Sequence, residues 1–383
     1  MVERRAEIAG AGIAGLVAAS ALAQRGWSVT VHERSPELRT YGAAISAWPN
    51  FTAVLSSIGA LPEVLEHSFA LKLRETRDAR DRVVYRVRIP DGEERNHFSV
   101  KRQPLINALV ATARRHGVVI RTGSHAVSAD PEGILHFADG SSVQADLIVG
   151  ADGVNSKVRD SLGVHVKRPT ATEGAVRMII PSVGLNLPGE VGTSIEYWSG
   201  RRRLFVSKTS DDDVFLAFMA SPKDKRATQV PLDKESWSES FPRSRDLIAR
   251  ADGDARWDNF ETITVTPWFK GRVALVGDAA NAMPPHIGQG AALGACNALA
   301  LAEHVSRHEN VALGLAEWDR TERGLTDHSQ RVSWWYGKLN GLPSALREAG
   351  LKLAGRSKWV IGLRQRPALH VPTGVDSDQI KSG

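Results

Sequence analysis

The chain has 383 residues, with 49 basic and 43 acidic side chains for a net charge of +6. That length exceeds one ordinary hydrophobic core and implies two lobes. Apolar and charged fractions match a soluble globular chain, and no apolar run is long enough to span a membrane. The positive balance suits anionic small ligands. No zinc spacing, basic helix or interleaved aromatic platform accompanies it, which argues against nucleic acid, and no His/Cys/carboxylate cluster suggests a metal. One cysteine, Cys296, rules out an internal disulfide and suits a reducing cytoplasm, where the thiol reads as inert and buried.

The chain opens on a strand, Glu7-Ile8-Ala9, followed by glycines at the G-x-G-x-x-G spacing: Gly10, Gly12 and Gly15. Arg4 and Arg5 precede this apolar stretch as in a signal peptide, but the glycines break the apolar core such a peptide needs. Leu16 to Gln24 reads as a helix stopped by Gly26, and a strand over 29–31 ends at Glu33. Gly10 permits a tight turn, Gly12 lets backbone approach a pyrophosphate, and Gly15 lets helix pack on strand. The helix start offers free N–H groups to phosphate oxygens, and Glu33 is placed for a ribose diol. Asn50 is a candidate cap for a short helix to Ile58. Residues 71–89 read as a charged hairpin, and Pro104 fits the first turn of a helix to His116. Asp139-Gly140 is a hairpin turn between strands at 134–137 and 142–143.

A second turn, Gly150-Ala151-Asp152-Gly153-Val154-Asn155-Ser156, follows the buried strand 146–150. Asn155 or Ser156 caps the next helix. Asp152 reads either as a cap or Asx turn, or as part of a binding motif. Beyond Pro169 strands dominate, at 175–180, 194–198, 204–206, 214–219 and 260–266, with short helices between 232 and 250. This predicts an antiparallel sheet inserted into the first lobe. The strand 272–277 returns to the buried pattern. It leads into Gly277-Asp278-Ala279-Ala280-Asn281-Ala282-Met283-Pro284-Pro285-His286-Ile287-Gly288-Gln289-Gly290-Ala291 and an Ala/Leu-rich helix to His304. Asp278 can bind a polyol hydroxyl, and the N–H groups of 288–290 can face an anion or an electron-rich ring.

These three motifs, in this order, resemble the single-component FAD-dependent aromatic hydroxylases, the p-hydroxybenzoate hydroxylase family, over about residues 5–330. Arg4-Arg5-Ala6-Glu7, Gly26-Trp27, Glu37-Leu38-Arg39 and Asn297 resemble in particular the 2-methyl-3-hydroxypyridine-5-carboxylate oxygenase and its relatives. The resemblance implies an α/β fold: a discontinuous Rossmann-like FAD-binding lobe, an inserted, mainly antiparallel β-sheet substrate lobe, and C-terminal helices. The boundaries expected are 1–170 for the first part of the FAD lobe, 171–268 for the substrate sheet and 269–383 for the rest. Gly10, Gly12, Gly15 and Glu33 would hold the ADP half, Arg102 the ribityl-pyrophosphate and Asp278 the ribityl chain. Asp152 would serve FAD and NAD(P)H. Ile13, Ala14, Arg34, Arg39, Ala44, Gly153, Gly277, Gly288, Gly290 and Ala291 complete the implied cofactor wall. Pro285 would lie at the isoalloxazine edge.

By the same resemblance Arg177 and Arg203 match arginines near a substrate carboxylate. Phe215 stands where a tyrosine is expected, and Ser46 replaces an aromatic. Asn281 stands where most members have histidine, which shifts the subgroup and leaves the class. Trp48 reads as pocket lining or as core. His286 reads as a substrate-bonding or proton-transfer group, or as a loop histidine. Arg203 reads as a carboxylate clamp or as one charge of an exposed Arg201-Arg202-Arg203 edge. The reaction implied is a monooxygenation of a small, carboxylated aromatic or N-heteroaromatic by a flavin C4a-hydroperoxide, with NADH or NADPH and O2 as co-substrates, and ring opening left open. A flavin oxygenase of Baeyer–Villiger or drug-modifying chemistry and a non-catalytic FAD-binding protein remain as alternatives. A monomer or homodimer is expected.

Overall fold

The computed structural model describes residues 4–38, 44–89, 97–253 and 255–375. The cofactor-side sheet has six strands in the order Phe269–Lys270, Val273–Leu275, Leu147–Gly150, Arg5–Ala9, Ser28–Glu33 and Val119–Thr122. All its pairs are parallel except the first. Such a sheet is covered on both faces, so its central strands read as continuous apolar runs. Leu147–Gly150 is buried throughout.

Helix Ile13–Gln24 packs against helix Gly290–Arg307. The first is apolar on every side, and residues from Leu16 to Leu22 are all buried, as expected of a helix inside a core. Small residues set the close approach. A Cβ on Gly15 would lie 2.1 Å from the Gly10 carbonyl oxygen, and one on Gly294 would lie 3.2 Å from the Gly277 Cα. Gly10 has φ +105°, a region that L side chains rarely enter.

The second large sheet has seven strands in the order Trp257–Asn259, Gly174–Pro181, Asp213–Ala220, Arg202–Lys208, Thr193–Ser199, Leu73–Asp78 and Val83–Arg88. Only Thr193–Ser199 against Leu73–Asp78 is parallel. The hairpin expected at 71–89 therefore forms and extends the sheet. One face rests on a core containing Leu204, Phe218 and Trp237, closed by helices Lys234–Ser240 and Arg245–Ala249. The other face looks toward the cofactor lobe.

Three local expectations change. The strand expected over 260–266 exists only at Thr264–Thr266, paired with His165–Lys167. Asn259 ends strand Trp257–Asn259, paired with Gly174, and Phe260 and Glu261 follow it out of the ladder to face a cavity. The helix near residue 50 starts at Pro49, with Trp48 at the N-cap and no side-chain cap bond. Asn50 is instead buried, and its amide donates to Gln289 Oε1 at 2.9 Å. Of the two candidate caps at 155–156, Ser156 takes the role, accepting from the Arg159 N–H.

Candidate active site

The two large sheets face each other across a cavity of about 480 Å³. That size suits a cofactor ring plus a small substrate. Most of the singled-out residues meet there. Gly12, Ile13 and Ala14 come from the first turn, and Ala44 and Ser46 from strand Ala44–Ala47. Arg102 starts helix Arg102–Arg115, and Gly153 follows the second turn. Gly277, Asp278, Pro285, His286, Gly288, Gly290 and Ala291 come from the third motif. Arg177, Arg203 and Phe215 stand on the large sheet.

Other residues stand elsewhere. Gly10 and Gly15 act behind the wall, through backbone packing. Glu33 accepts from the Ala11 N–H at 3.0 Å and the Ser35 N–H at 2.9 Å, which places its carboxylate beside the glycine turn. Arg34 is exposed next to it, and Arg39 lies outside the described residues. Asp152 is off the wall: its carboxylate takes the Ser156 hydroxyl and the N–H groups of Lys157 and Val158, the capping arrangement. Trp48 lines a neighbouring small cavity instead.

The geometry fits FAD. A Cβ on Gly12 would meet nothing within 4 Å, so the turn is open where a pyrophosphate must approach. Arg102 projects into the cavity and makes no ion pair among the described residues. Asp278 is also open to it. Surrounding protein pushes the Asp278 carboxyl up, with Arg102 opposing. Because the side chain still meets the open cavity, that push belongs to a filled site more than a solvated one.

The far wall is organised by a residue that sequence reasoning missed. Glu173, just before strand Gly174–Pro181, is buried. Both its carboxylate oxygens accept from Arg203 Nη2 at 3.1 Å. His286 Nε2 lies 3.0 Å from Oε2, and the Asn340 amide donates to Oε1. Arg203 is 1% exposed and also reaches Glu196 at 2.9 Å, while Tyr336 donates its hydroxyl to the other Glu196 oxygen. Burial would raise the Glu173 carboxyl, but Arg203, His286 and Asn340 outweigh it and hold it at about 2.

This network defines His286. Arg203 Nη2 lies 3.1 Å from His286 Nδ1, and a guanidinium can only donate. Nδ1 therefore accepts, and Nε2–H donates to Glu173. Burial and the Arg203 charge push the imidazole pKa down, so the ring is neutral. Both nitrogens are engaged inside the protein, the arrangement of a structural loop histidine. The Arg203 guanidinium is paired with two carboxylates, Glu173 and Glu196. Arg177 is freer, 4.0 Å from Asp258 and over the Phe260 ring.

The long helix Val311–Lys338 sets the position of the 282–288 loop. Gln330 donates to the Ile263 and Ala282 carbonyls, and Ser333 to the Pro284 carbonyl. Gly337 lies on the same face, since residues four apart share one. A Cβ there would stand 2.7 Å from His286 Nε2. The signal available was a Gln, Ser and Gly at helical spacing.

Residues 4–312 match the family described as FAD binding domain, and the chain belongs to that family. Its fold, its cavity and its relatives make it an FAD-dependent aromatic monooxygenase. A 2-heptyl-3-hydroxy-4(1H)-quinolone synthase of Mycobacteroides abscessus is 38% identical, over 94% of this chain and 96% of its own. A 6-hydroxynicotinate 3-monooxygenase of Pseudomonas fluorescens is 29% identical, over 86% and 90%. Among solved structures, the tetrameric form of 2-methyl-3-hydroxypyridine-5-carboxylic acid oxygenase superposes with a TM-score of 0.86 at 36% identity, covering 97% of this chain and 98% of its own.

Three outcomes test this site. Gly324 lies on the same helix with open space around its Cα, so Gly324→Ala should stabilise by about 0.5–1 kcal/mol. Gly337→Ala should do the opposite, because the new methyl meets His286; paired urea melts that show the same sign would remove the contact. The Glu173 carboxyl is depressed in the folded state, so its stabilisation is full above its ordinary value near 4.5 and is lost as pH falls toward about 2. Across that window wild-type stability should fall more steeply than that of Glu173→Gln. Asp278→Ala should fold and yet lose FAD on a desalting column; a yellow protein fraction would refute the Asp278 role.

Proposed function

We propose that this enzyme uses NADH or NADPH and O2 to hydroxylate C3 of a 4(1H)-quinolone ring. The balance is simple. The ring C–H, O2, NAD(P)H and a proton become C–OH, NAD(P)+ and water. C3 of such a ring is electron-rich because the ring nitrogen conjugates to it through C2. FAD, when bound, carries the electrons and delivers the oxygen atom.

The chain's own residues hold and shield. The first glycine turn and the start of helix Ile13–Gln24 would hold the pyrophosphate, Glu33 the ribose, and Arg102 and Asp278 the linker between them. Pro285 and the Gly288 turn would border the flavin ring. Phe205, Phe215, Met219 and Phe260 present apolar surface to the substrate side and keep bulk water from the reacting carbon. His286 acts as a neutral strut that holds this loop against the sheet.

The observation that carries the substrate reading is the closed Arg203 network. Glu173 and Glu196 neutralise the guanidinium inside the wall. A carboxylate brought there would meet buried acids, so a neutral ring is favoured. The quinolone synthase named above, similar along nearly its whole length, supports the same ring class.

A second reading rests on Arg177. Its long ion pair leaves it able to take a carboxylate from an aromatic acid. One experiment decides between the two. The purified yellow protein is given NADH or NADPH in air with 4(1H)-quinolones, hydroxypyridine carboxylates and hydroxybenzoates. Quinolone-stimulated oxidation with a product heavier by one oxygen atom is expected, and Arg177→Met should change the quinolone KM little. Turnover of the acids alone, with a KM raised roughly tenfold or more in Arg177→Met, would establish the carboxylate reading. Flavin that binds and is never reduced with any ligand would show a non-catalytic protein.

A further inference from the structure

Beside the main cavity lies a smaller one of about 80 Å³. The two share Arg74, Glu196 and Phe205 in their walls. They also split short stretches of chain. Ser46 faces the large cavity and Trp48 the small one, as do Gly288 and Ile287 respectively. Ile361, Ala368 and Leu369, from helix Lys358–Gln365 and the segment after it, close the far side. The small cavity is thus an apolar side chamber opening off the ring site.

At its mouth the Glu196 oxygens are already taken by Arg203 and Tyr336, which leaves the donors of Arg74 and Trp48. Arg74 stacks over Trp48, with its guanidinium carbon 5.1 Å from the ring, and makes no hydrogen bond among the described residues. Trp48 Nε1–H is buried and also lacks an acceptor. Trp48 Nε1–H is a buried donor without a partner, which is costly, and the half-buried Arg74 guanidinium lies beside it, so an oxygen acceptor at the junction would meet both. An apolar chamber beyond them calls for hydrocarbon.

We propose that the side chamber seats an alkyl substituent of the substrate ring, with a ring oxygen at the Arg74–Trp48 junction. The inference rests on the reading that an oxygenated N-heteroaromatic ring enters the main cavity. By volume the chamber holds on the order of six waters, and a methylene displaces about one, so a chain of about six carbons fills it. Each buried methylene should raise affinity about fourfold until the chamber is full.

The test uses the FAD-loaded enzyme and 4(1H)-quinolones bearing methyl, butyl, hexyl or decyl at C2. Binding is read from the flavin absorbance and turnover from product formation. Affinity and kcat/KM should climb with chain length and level off near six carbons. Leu369→Trp, a change at an exposed position, should flatten that climb and leave the methyl compound unaffected. Leu369→Ala should tolerate the longest chain better. A wild-type series without dependence on chain length, or a slope that Leu369→Trp leaves intact, overturns the chamber. Chain-dependent binding without hydroxylation upholds the chamber and overturns the reaction proposed above. No binding at any length overturns both.

Discussion

A buried guanidinium organises the substrate side of this protein. Arg203 stands on strand Arg202–Lys208 and is almost wholly out of water. Taking a cation there is costly unless carboxylates meet it with good geometry. Glu173 and Glu196 do so from two other parts of the sheet. The same Glu173 then accepts from His286 on the 282–288 loop and from Asn340 beyond the long helix. One ion cluster therefore ties the sheet, loop and C-terminal helices together. No member can leave without stranding another, so the distance between sheet and loop is held.

The cofactor side is organised by the opposite device, the absence of side chains. Gly10 and Gly15 let backbones approach to distances that no Cβ would allow, Gly277 makes room for the Ala14 methyl, and Gly294 packs tightly on Gly277. Gly12 differs from these, since its missing side chain leaves open space on the cavity side. The parallel sheet supplies the rigid base, and the helix start supplies the dipole and N–H groups. Flavin enzymes need such shape more than reactive side chains, because the cofactor brings its own chemistry.

Arg74 and Trp48 connect these halves. Arg74 lines both cavities, and Trp48, stacked beneath it in the smaller one, leaves its buried Nε1–H without a partner. Arg177 likewise stays loosely paired at the other end of the sheet face. The wall thus combines one neutralised arginine with freer cationic groups around it. That arrangement gives the cavity direction: apolar at the ring, polar at its rims.

Much of this was legible before any coordinates. The glycine spacing, the alternation of buried strands with helices, the sheet insert and the Asp278 turn are local patterns, readable because backbone geometry depends on near neighbours. The larger differences between reading and structure are long-range. Asp152, read as either a cap or a binding carboxylate, bonds the start of its own helix. His286 has both ring nitrogens engaged, by Arg203 and Glu173. Trp48 was assigned to the ring site and belongs next door. Glu173 gave no signal, since an acid before an apolar strand usually faces water; its partners lie 30, 113 and 167 residues away. The sequence by itself determined the cofactor class and the two-lobed fold, because glycine placement and hydrophobic period act over a few residues. Only the tertiary structure decided the charge of the substrate wall, because a buried charge takes its state from whichever groups folding brings within about 3 Å of it.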